Sequence, residues 1–498
     1  MKNWLKYLLL FCVLIFSAGF AMAQYVTIGT DNGTTAYLMR TFTEDGKSQL
    51  TFSNTDLTSD IPALNVGDTI YSIGWNVETV GGQVMYNVNI NIRESGPSLL
   101  VWSGTLAPKL GWNDILLDAP YVRTGTGNLI VEYCFDNCNQ TSTTDVYRTQ
   151  TSTNTFNYTT GNNNNGCSYS PNTNTVNRPN TRFGKSVPGA TYTHDTICSG
   201  TSITLSSTSS LTLNTSISGF TYKGLNNGSY YFLSTSDKTW LEADLICRQN
   251  GGHLAHIANV TENNYVKNNV INSTSWIGLY QDCNNASYSE PAGGWVWSND
   301  NPLIYTNWNN YEPNDYFGYN SENYVEMRTD GKWNDHQKTR SIPYVLEIEE
   351  TYLWNTGATT STITVSPTTT TTYWVDHSLG SNTVREYFII QSLQVQLDSL
   401  IAAPIPVCFG DTVTLTAYPS SSLYEYKFKW APLGTTPYTN ITSGNGWGSN
   451  NPITYPIYQG TDFKVRIRNS INHSCITPAV FSTVPVNPLP SPGPIWHN

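Results

Sequence analysis

Short alternations of apolar and polar residues, separated by turn residues, run through the first third of the chain. Examples lie at 69–77, 86–92 and 128–135. A period of two is typical of half-buried β-strands, and many short strands with turns between them favour a sandwich or a barrel. The pattern therefore predicts an N-terminal β-sandwich or jelly roll over residues 24–190, with a long loop at Asn162–Asn165.

A helical period replaces the alternation in the middle of the chain. Trp240, Ala243 and Cys247 follow the spacing i, i+3, i+7, which places them on one face of a helix. Thr239 and Glu242 have the form of a capping box, so we expect the helix to begin after Thr239.

A second short helix is predicted from Thr261 to about Ile271, with Val266 and Val270 facing inward. Strands are predicted at W-I-G-L (276–279), at W-x-W (295–297) and at a closing segment (344–347). The middle of the chain is therefore expected to be an α+β domain.

A repeat of the form C-x-G-x-x-[IV]-T-L begins at Cys198 and again at Cys408. Its segments resemble the immunoglobulin-like modules of secreted Bacteroidota proteins. Such a β-sandwich needs about 100 residues or fewer, so the first copy is too long. Its β pattern also breaks off and resumes later, as expected when a domain is inserted at an exposed loop. We therefore predict a first module split into 191–217 and 351–391 around an inserted domain, 218–350.

The two ends of the chain have the patterns of an export signal and of a linker. Residues 1–23 combine a basic start, a short apolar run and Ala21-Met22-Ala23, which is typical of a signal peptide. A second immunoglobulin-like module is expected at 392–488, and the Pro-rich stretch 489–498 is linker-like. The segment 111–132 also resembles N-terminal β-sandwich domains of secreted Bacteroidota proteins. The prediction is a secreted or cell-surface, multidomain, mostly β protein without a transmembrane segment after signal cleavage.

Composition narrows the choice of partners. The net charge is −11, charged residues make up 12% and aromatic residues 13% of the chain, and this balance argues against disorder. We find no run of Lys and Arg, which argues against nucleic acid and anionic membranes as partners.

The cysteines left after signal removal can oxidise in an exported protein. They are Cys134, Cys138, Cys167, Cys198, Cys247, Cys283, Cys408 and Cys475. Cys408 with Cys475, inside one module, is the pairing we expect. Cys198 is then either unpaired or bonded outside its module.

Acidic and amide side chains are concentrated in one turn-rich stretch between residues 312 and 335. They are Glu312, Asn314, Glu322, Asn334 and Asp335. Calcium takes six to eight oxygen ligands from such groups, and loops allow them to converge. The stretch therefore predicts a calcium (Ca2+) site.

The motifs E-P-N (312–314) and W-N-D (333–335), after the two helices and the W-I-G-L and W-x-W strands, resemble the C-type lectin-like domain. The resemblance implies an α+β C-type lectin fold. It also implies that Glu312, Asn314, Glu322, Asn334 and Asp335 bind one calcium ion and, through it, two adjacent sugar hydroxyls. It further implies that the E-P-N order favours mannose-type diols, whereas Q-P-D goes with galactose, and that Pro313 follows a cis bond.

Other residues of this domain have alternative interpretations. A second calcium site would use Asp315, Glu322, Asn323 and Asp282. Tyr311, Tyr316, Phe317 and Tyr319 either stack on a sugar or pack within the loop. His253 and His256 suggest zinc, but alternate faces of a strand would separate them.

The function expected from these observations is calcium-dependent binding of a glycan or glycoprotein, as a lectin or adhesin. The alternatives are a structural or protein-binding surface protein, and a non-catalytic fragment of a larger secreted enzyme. We find no G-x-S-x-G, H-E-x-x-H or P-loop motif, and therefore predict no enzymatic activity.

Overall fold

The computed structural model describes residues 25–59, 61–162, 166–187, 189–318, 321–442 and 446–487. The predicted signal peptide and the linker-like tail lie outside these residues. No helix in the described ranges combines the length and apolar character that a membrane crossing needs. The chain divides into two compact units. The first is Met1–Ala190, Ser209–Leu353 and Asp376–Arg385, and the second is Thr191–Thr208, Trp354–Val375 and Glu386–Asn498.

Two sheets build the N-terminal part of the first unit, and their buried faces share one core that includes Trp75, Ile90 and Tyr133. One sheet has the order β1-β13-β4-β9-β12, with β2 on β9 and β7 on β4, and the other has the order β11-β10-β3-β8-β5-β6. The strands are β1 (Tyr25–Ile28), β2 (Gly33–Met39), β3 (Asp45–Phe52), β4 (Thr69–Thr79), β5 (Met85–Arg93), β6 (Leu99–Leu106), β7 (Gly111–Val122), β8 (Leu129–Asp136), β9 (Thr144–Gln150), β10 (Phe156–Gly161), β11 (Thr173–Thr175), β12 (Asn177–Pro179) and β13 (Thr181–Gly184), with helix α1 (Asn54–Thr58) and a 3-10 helix (Gly166–Ser168). The mostly β character is confirmed, and the specific sandwich or jelly-roll type stays a prediction.

The next strands, β14 (Thr191–Cys198) and β15 (Ile203–Ser206), belong to the second unit, and the chain then returns to the first. The returning segment is α+β. Its elements are β16 (Phe220–Asn226), β17 (Ser229–Ser234), α2 (Trp240–Gln249), β18 (His253–Leu254), α3 (Val260–Tyr265), a π-helical turn (Val266–Val270), β19 (Ser275–Gln281), β20 (Trp295–Trp297), β21 (Tyr324–Met327), β22 (Trp333–His336) and β23 (Val345–Ile348). They form the sheets β16-β17-β23-β18 and β20-β19-β21-β22.

Helix α2 begins as the capping box predicts. The Glu242 carboxylate accepts hydrogen bonds from the Thr239 backbone N–H at 3.1 Å and from its hydroxyl at 2.8 Å. The predicted inward face is buried: Trp240, Ala243 and Cys247 are each fully inaccessible to solvent. In the second helix Val266 and Val270 are likewise buried, as predicted.

The glycine that follows α2 is required by a close approach of the backbone. Gly251 has a φ of +77°, and an added Cβ would lie 1.9 Å from the Gly380 carbonyl carbon. Any side chain at this position would therefore displace the segment around Gly380 as well as strain the helix end.

The α+β segment packs on the N-terminal sheets within the first unit. A disulfide joins Cys138 to Cys283. The Tyr86 hydroxyl donates to the fully buried Asp244 carboxylate at 2.7 Å, and Arg248 Nε donates to the same oxygen at 3.1 Å. These contacts join the two parts by a covalent bond and a buried polar network.

Within the second unit, segments far apart in sequence pair as neighbours. Strand β14 runs parallel to the part of β27 from Glu386 to Leu393, and β15 is antiparallel to β25. The remaining strands of the chain are β24 (Glu350–Trp354), β25 (Thr362–Val365), β26 (Thr371–Leu379), β27 (Asn382–Leu393), β28 (Ser399–Ala403), β29 (Val407–Cys408), β30 (Thr412–Tyr418), β31 (Tyr424–Pro432), β32 (Thr439–Asn440), β33 (Ile453–Pro456), β34 (Thr461–Asn469), β35 (Val480–Val484) and β36 (Val486–Asn487). The sheets β28-β30-β33 and β32-β31-β34-β35 share a core that includes Leu415 and Phe428. The immunoglobulin-like type and the split boundaries stay predictions.

The predicted disulfide between Cys408 and Cys475 is wrong. Cys475 is bonded to Cys198, with the two Cα atoms 5.2 Å apart, while Cys408 is a free, exposed thiol. Cys408 lies on β29, which pairs with β36, whereas Cys475 lies beyond the end of β34. Cys198 is therefore not unpaired, and its partner lies in the segment predicted as the second module. A further disulfide joins Cys134 to Cys167.

Basic residues that are dispersed in the sequence come together on one face of the folded chain. Strands β31 and β34 are adjacent and antiparallel, and five of their outward residues are basic: Lys427, Lys429, Lys464, Arg466 and Arg468. This cationic face is not evident as a basic run in the sequence, because buried residues alternate with the basic ones on each strand.

Candidate functional site

The five predicted ligands lie on β22 and in the loops beside it. Asn334 and Asp335 are on β22, which pairs with β21, and Glu322 lies just before β21. Glu312 and Asn314 flank a proline whose preceding peptide bond is cis, as the resemblance implied. The strand pair therefore fixes two of these residues, and loops carry the other three.

Asp335 is the point to which the E-P-N loop is tied. Its carboxylate accepts hydrogen bonds from the backbone N–H of Asn314, at 3.2 and 3.1 Å, and from that of Asp315, at 3.0 Å. The side chain is almost fully buried, although it carries a carboxylate. Asp335 therefore holds the E-P-N backbone against β22.

Three carboxyl groups are close enough to perturb one another. The pKa of Glu312 is raised to about 7 by burial, by a hydrogen bond with Asp335 and by the charges of Asp335 and Glu322. The pKa of Glu322 is raised to about 6, mainly by burial and by the negative charge of Asp335, although the N–H of Tyr316 bonds to its carboxylate and opposes the rise. The carboxyl groups of Glu312, Glu322 and Asp335 thus concentrate negative charge at a place where few cationic side chains offset it.

The residues present fit a calcium ion in the type of their donor atoms. The side chains offer carboxylate and amide oxygens, and Glu312 Oε2 is buried with no hydrogen-bond partner among the described residues. The carboxylate oxygens of Glu312, Glu322 and Asp335 do not all lie within 4.8 Å of one another.

Within the described ranges, one group of three residues has possible ligand atoms that all lie within 4.8 Å of one another: Cys138, Asp282 and Cys283. Its two cysteines are joined in a disulfide, so their sulfurs are not thiolate ligands. This group is therefore not a metal site.

Asn334 faces a carboxylate that the sequence analysis did not single out. Its Nδ2 donates to the backbone oxygen of Asp335 at 2.6 Å and lies 3.4 Å from Glu326 Oε1. Glu326 lies opposite Asn334 on β21, is almost fully buried, and has a pKa raised to about 7, mainly by burial. A charged residue in the otherwise apolar strand Y-V-E-M was the available signal.

The residues proposed for a second calcium site have separate surroundings. Asp315 Oδ1 accepts hydrogen bonds from Ser321 N–H and Glu322 N–H. Asp282 instead accepts from Asn284 N–H, beside the disulfide to the N-terminal sheets. The second site stays a prediction.

Aromatic residues stand exposed beside the E-P-N loop. Tyr311 is 94% exposed, Tyr316 79% and Phe317 55%. Tyr316 and Phe317 contact each other edge-on, and Phe317 also lies beside His336. Tyr319 lies outside the described residues. These exposures leave ring surface available to a ligand.

A buried polar network lies on β23, away from the E-P-N loop. Glu347 accepts hydrogen bonds from the Tyr231 hydroxyl at 3.2 Å and the His256 N–H at 2.9 Å, and burial raises its pKa to about 7. Burial lowers the pKa of His253, but the bond to Glu349 and the charge of Glu347 outweigh it and raise the pKa. Strand β18 ends at Leu254, so strand alternation does not separate the two histidines.

Residues 236–346 match the family model described as the lectin C-type domain. This segment is a C-type lectin domain. The match covers much of the α+β segment, including α2, the β19-to-β22 sheet and all five predicted ligands.

Curated relatives match about a quarter of the chain. The C-type lectin domain family 10 member A of Mus musculus is 31% identical over 129 residues, which are 25% of this chain and 40% of that protein. The low affinity immunoglobulin epsilon Fc receptor of Mus musculus is 36% identical over 105 residues, 21% of this chain and 29% of that protein. The C-type mannose receptor 2 of Mus musculus is 32% identical over 123 residues, 24% of this chain and 8% of that protein. The chain thus spans at most 40% of the length of these three relatives.

Solved structures also match about a quarter of the chain. The cow C-type carbohydrate-recognition domain of CD23, in the presence of a GlcNAc2Man3 oligosaccharide, is 28% identical and matches 27% of this chain and 96% of that chain, with a TM-score of 0.23. A calcium-independent type II antifreeze protein is 27% identical and matches 27% of this chain and 93% of that chain, also with a TM-score of 0.23.

Proposed function

We propose that the protein is an exported, calcium-dependent carbohydrate-binding protein, a lectin or adhesin that captures glycans or glycoproteins through its C-type lectin domain. The observation that carries the proposal is the cluster around Asp335. It combines a buried carboxylate tied to the E-P-N loop, the crowded carboxyls of Glu312 and Glu322, and an unpartnered buried oxygen on Glu312. Neighbouring carboxylates with raised pKa values favour a bound cation, since the cation removes their mutual repulsion.

The role proposed for each side chain follows from the oxygen and nitrogen atoms that it offers. Glu312, Glu322 and Asp335 supply carboxylate oxygens, and Asn314 and Asn334 supply amide groups. Calcium would supply coordination positions for two adjacent hydroxyls of a sugar. The amides donate hydrogen bonds to those hydroxyls and the carboxylates accept from them, and such charge-assisted bonds are the stronger kind.

The proposed sugar preference is for mannose-type diols. It rests on the E-P-N order, which places the carboxylate before the proline and the amide after it. The names of the relatives mention different ligands, since one is a C-type mannose receptor and another is an asialoglycoprotein receptor. The exposed rings of Tyr311, Tyr316 and Phe317 support a sugar-binding rim.

A glycan array, probed in calcium and in EDTA, tests this function. The full mature chain is expected to bind mannose-bearing glycans in calcium alone, and Asp335→Ala is expected to lose binding. Asp330→Ala, which removes a carboxylate at an exposed position just before β22, is the matched control and is expected to bind normally. Binding of mannose-bearing glycans that survives EDTA would contradict calcium dependence, and no binding to any glycan in calcium would favour a structural or protein-binding surface protein.

A further inference from the structure

The cationic face on β31 and β34 is a second feature of the molecule with no role in the C-type lectin domain. Outward Lys427 and Lys429 alternate with buried Tyr426 and Phe428 on β31, and Lys464, Arg466 and Arg468 alternate with buried residues on β34. The strand register places Lys427 opposite Arg466 and Lys429 opposite Lys464.

This arrangement opposes folding. Like charges directly opposite each other on neighbouring strands are destabilising. Burial lowers the pKa of Lys464, and the positive charges of Lys429 and Arg466 lower it further. Among the described residues Lys429, Lys464 and Arg466 make no ion pair, whereas Arg468 is paired with Glu425. A chain with a net charge of −11 has no compositional reason to gather cations on one face.

The face contains a groove that one aromatic residue, Trp447, helps to line. A cavity of about 240 Å³ is lined by Lys427, Lys429, Trp447, Lys464, Arg466 and Ile476. The guanidinium of Arg468 lies 4.5 Å from the centre of the Trp447 ring, and Lys464 Nζ lies 4.0 Å from that of Tyr438. A cation of the protein thus lies over one face of each ring.

We propose that this groove binds a linear anionic polysaccharide, whose sugars carry sulfate or carboxylate groups. Two rows of cations, about 5 Å apart across the strands and about 7 Å apart along each strand, suit a ribbon with anionic groups along both edges. Arg466 is exposed and offers a planar fork that suits sulfate and carboxylate. Single-stranded nucleic acid is disfavoured, because Arg468 and Lys464 each occupy one face of these rings and leave less ring surface on which bases could stack. A bilayer surface is disfavoured because the cations line a concavity.

Binding of the full mature chain to a fluorescent heparin oligosaccharide, measured by anisotropy in EDTA, tests the proposal. EDTA removes any contribution from a calcium-dependent site, so this result is independent of the lectin proposal. We expect binding that weakens with added salt, because these charges are exposed to solvent. The variant Lys429→Gln/Lys464→Gln/Arg466→Gln is expected to bind about 10-fold or more weakly, since three interacting cations are lost.

The control variant Lys109→Gln/Lys223→Gln/Lys267→Gln makes the same charge change outside the groove and is expected to bind like the unmodified protein. The groove variant is expected to fold, because it relieves like-charge repulsion, and circular dichroism checks this. Dextran, single-stranded DNA, polyglutamate and phosphatidylserine vesicles serve as competitors. Equal losses in both variants, no binding of heparin, or stronger competition by DNA, polyglutamate or vesicles than by unlabelled heparin would overturn the proposal.

Discussion

The backbone N–H of Asn314 donates to both carboxylate oxygens of Asp335, at 3.2 and 3.1 Å. This contact joins the loop of the E-P-N motif to the strand of the W-N-D motif. The two motifs are 21 residues apart in sequence, yet they form one structural unit. The loop's side chains are consequently held beside a buried carboxylate, and the proposed sugar preference depends on that arrangement.

Exchanging the two polar groups around Pro313 is expected to exchange the sugar preference. In Glu312→Gln/Asn314→Asp the carboxylate and the amide trade places, so the acceptor and donor positions offered to the sugar hydroxyls are reversed. We expect binding to move from mannose to galactose on a glycan array, by about 10-fold or more. An unchanged mannose preference in a calcium-binding double variant would show that this loop does not set specificity.

Stability in EDTA is expected to fall as the pH rises from 5 to 8. The folded-state pKa of Glu347 is raised to about 7 from an ordinary value of 4.5, so the folded form binds more protons than the unfolded form between these values. Stability decreases with pH wherever the folded form holds the additional protons. His253, whose pKa is also raised, contributes in the same direction, as its extra stability is lost when the pH rises through its folded-state pKa.

Glu347→Gln isolates the contribution of that carboxyl. The amide resembles the protonated form, so the thermal midpoint of the variant is expected to fall less between pH 5 and pH 8. The exposed Glu78→Gln variant is the control. Parallel pH profiles for the unmodified protein and Glu347→Gln would mean that Glu347 does not titrate in this range.

The contact between Tyr86 and Asp244 is expected to stabilise the first unit. Tyr86→Phe removes the hydroxyl that donates to a fully buried carboxylate and leaves Arg248 as its remaining side-chain donor. We expect a loss of about 1–2 kcal/mol in the free energy of unfolding, measured with urea. Tyr71→Phe on β4 is the control, and an equal effect of both changes would contradict the role of Tyr86.

The corrected disulfide pattern predicts the reactivity of two thiols. Cys408 is exposed and should react with a maleimide in the native protein, while buried Cys247, whose pKa is raised by burial, should react only after unfolding. Peptide mapping should recover a Cys198–Cys475 cross-link. A Cys408–Cys475 peptide would restore the pairing that the sequence suggested.

Local signals in the sequence were sufficient for local structure. Thr239 and Glu242 define the start of α2 because a capping box involves residues only three positions apart. The alternation of buried Val88 and Ile90 likewise follows from strand geometry alone.

Features that depend on distant segments were not predictable in this way. Cys198 meets Cys475 because of how strands assemble in the second unit, and no spacing rule specifies that. Glu326 became a residue of interest only because β21 pairs with β22 and places it opposite Asn334. The cationic face was present in the sequence as K-x-K and K-x-R-x-R, but it becomes one surface only when β31 pairs with β34.

Calorimetric titration of calcium into the chelator-treated mature protein, with and without methyl mannoside, tests the central proposal most directly. We expect calcium to bind to the C-type lectin domain, methyl mannoside to bind only in its presence, and Asp335→Asn to lose both heats. The same change at exposed Asp330, Asp330→Asn, should retain both. Calcium binding that persists in Asp335→Asn, or mannoside binding without calcium, would contradict a calcium-dependent sugar site at Asp335.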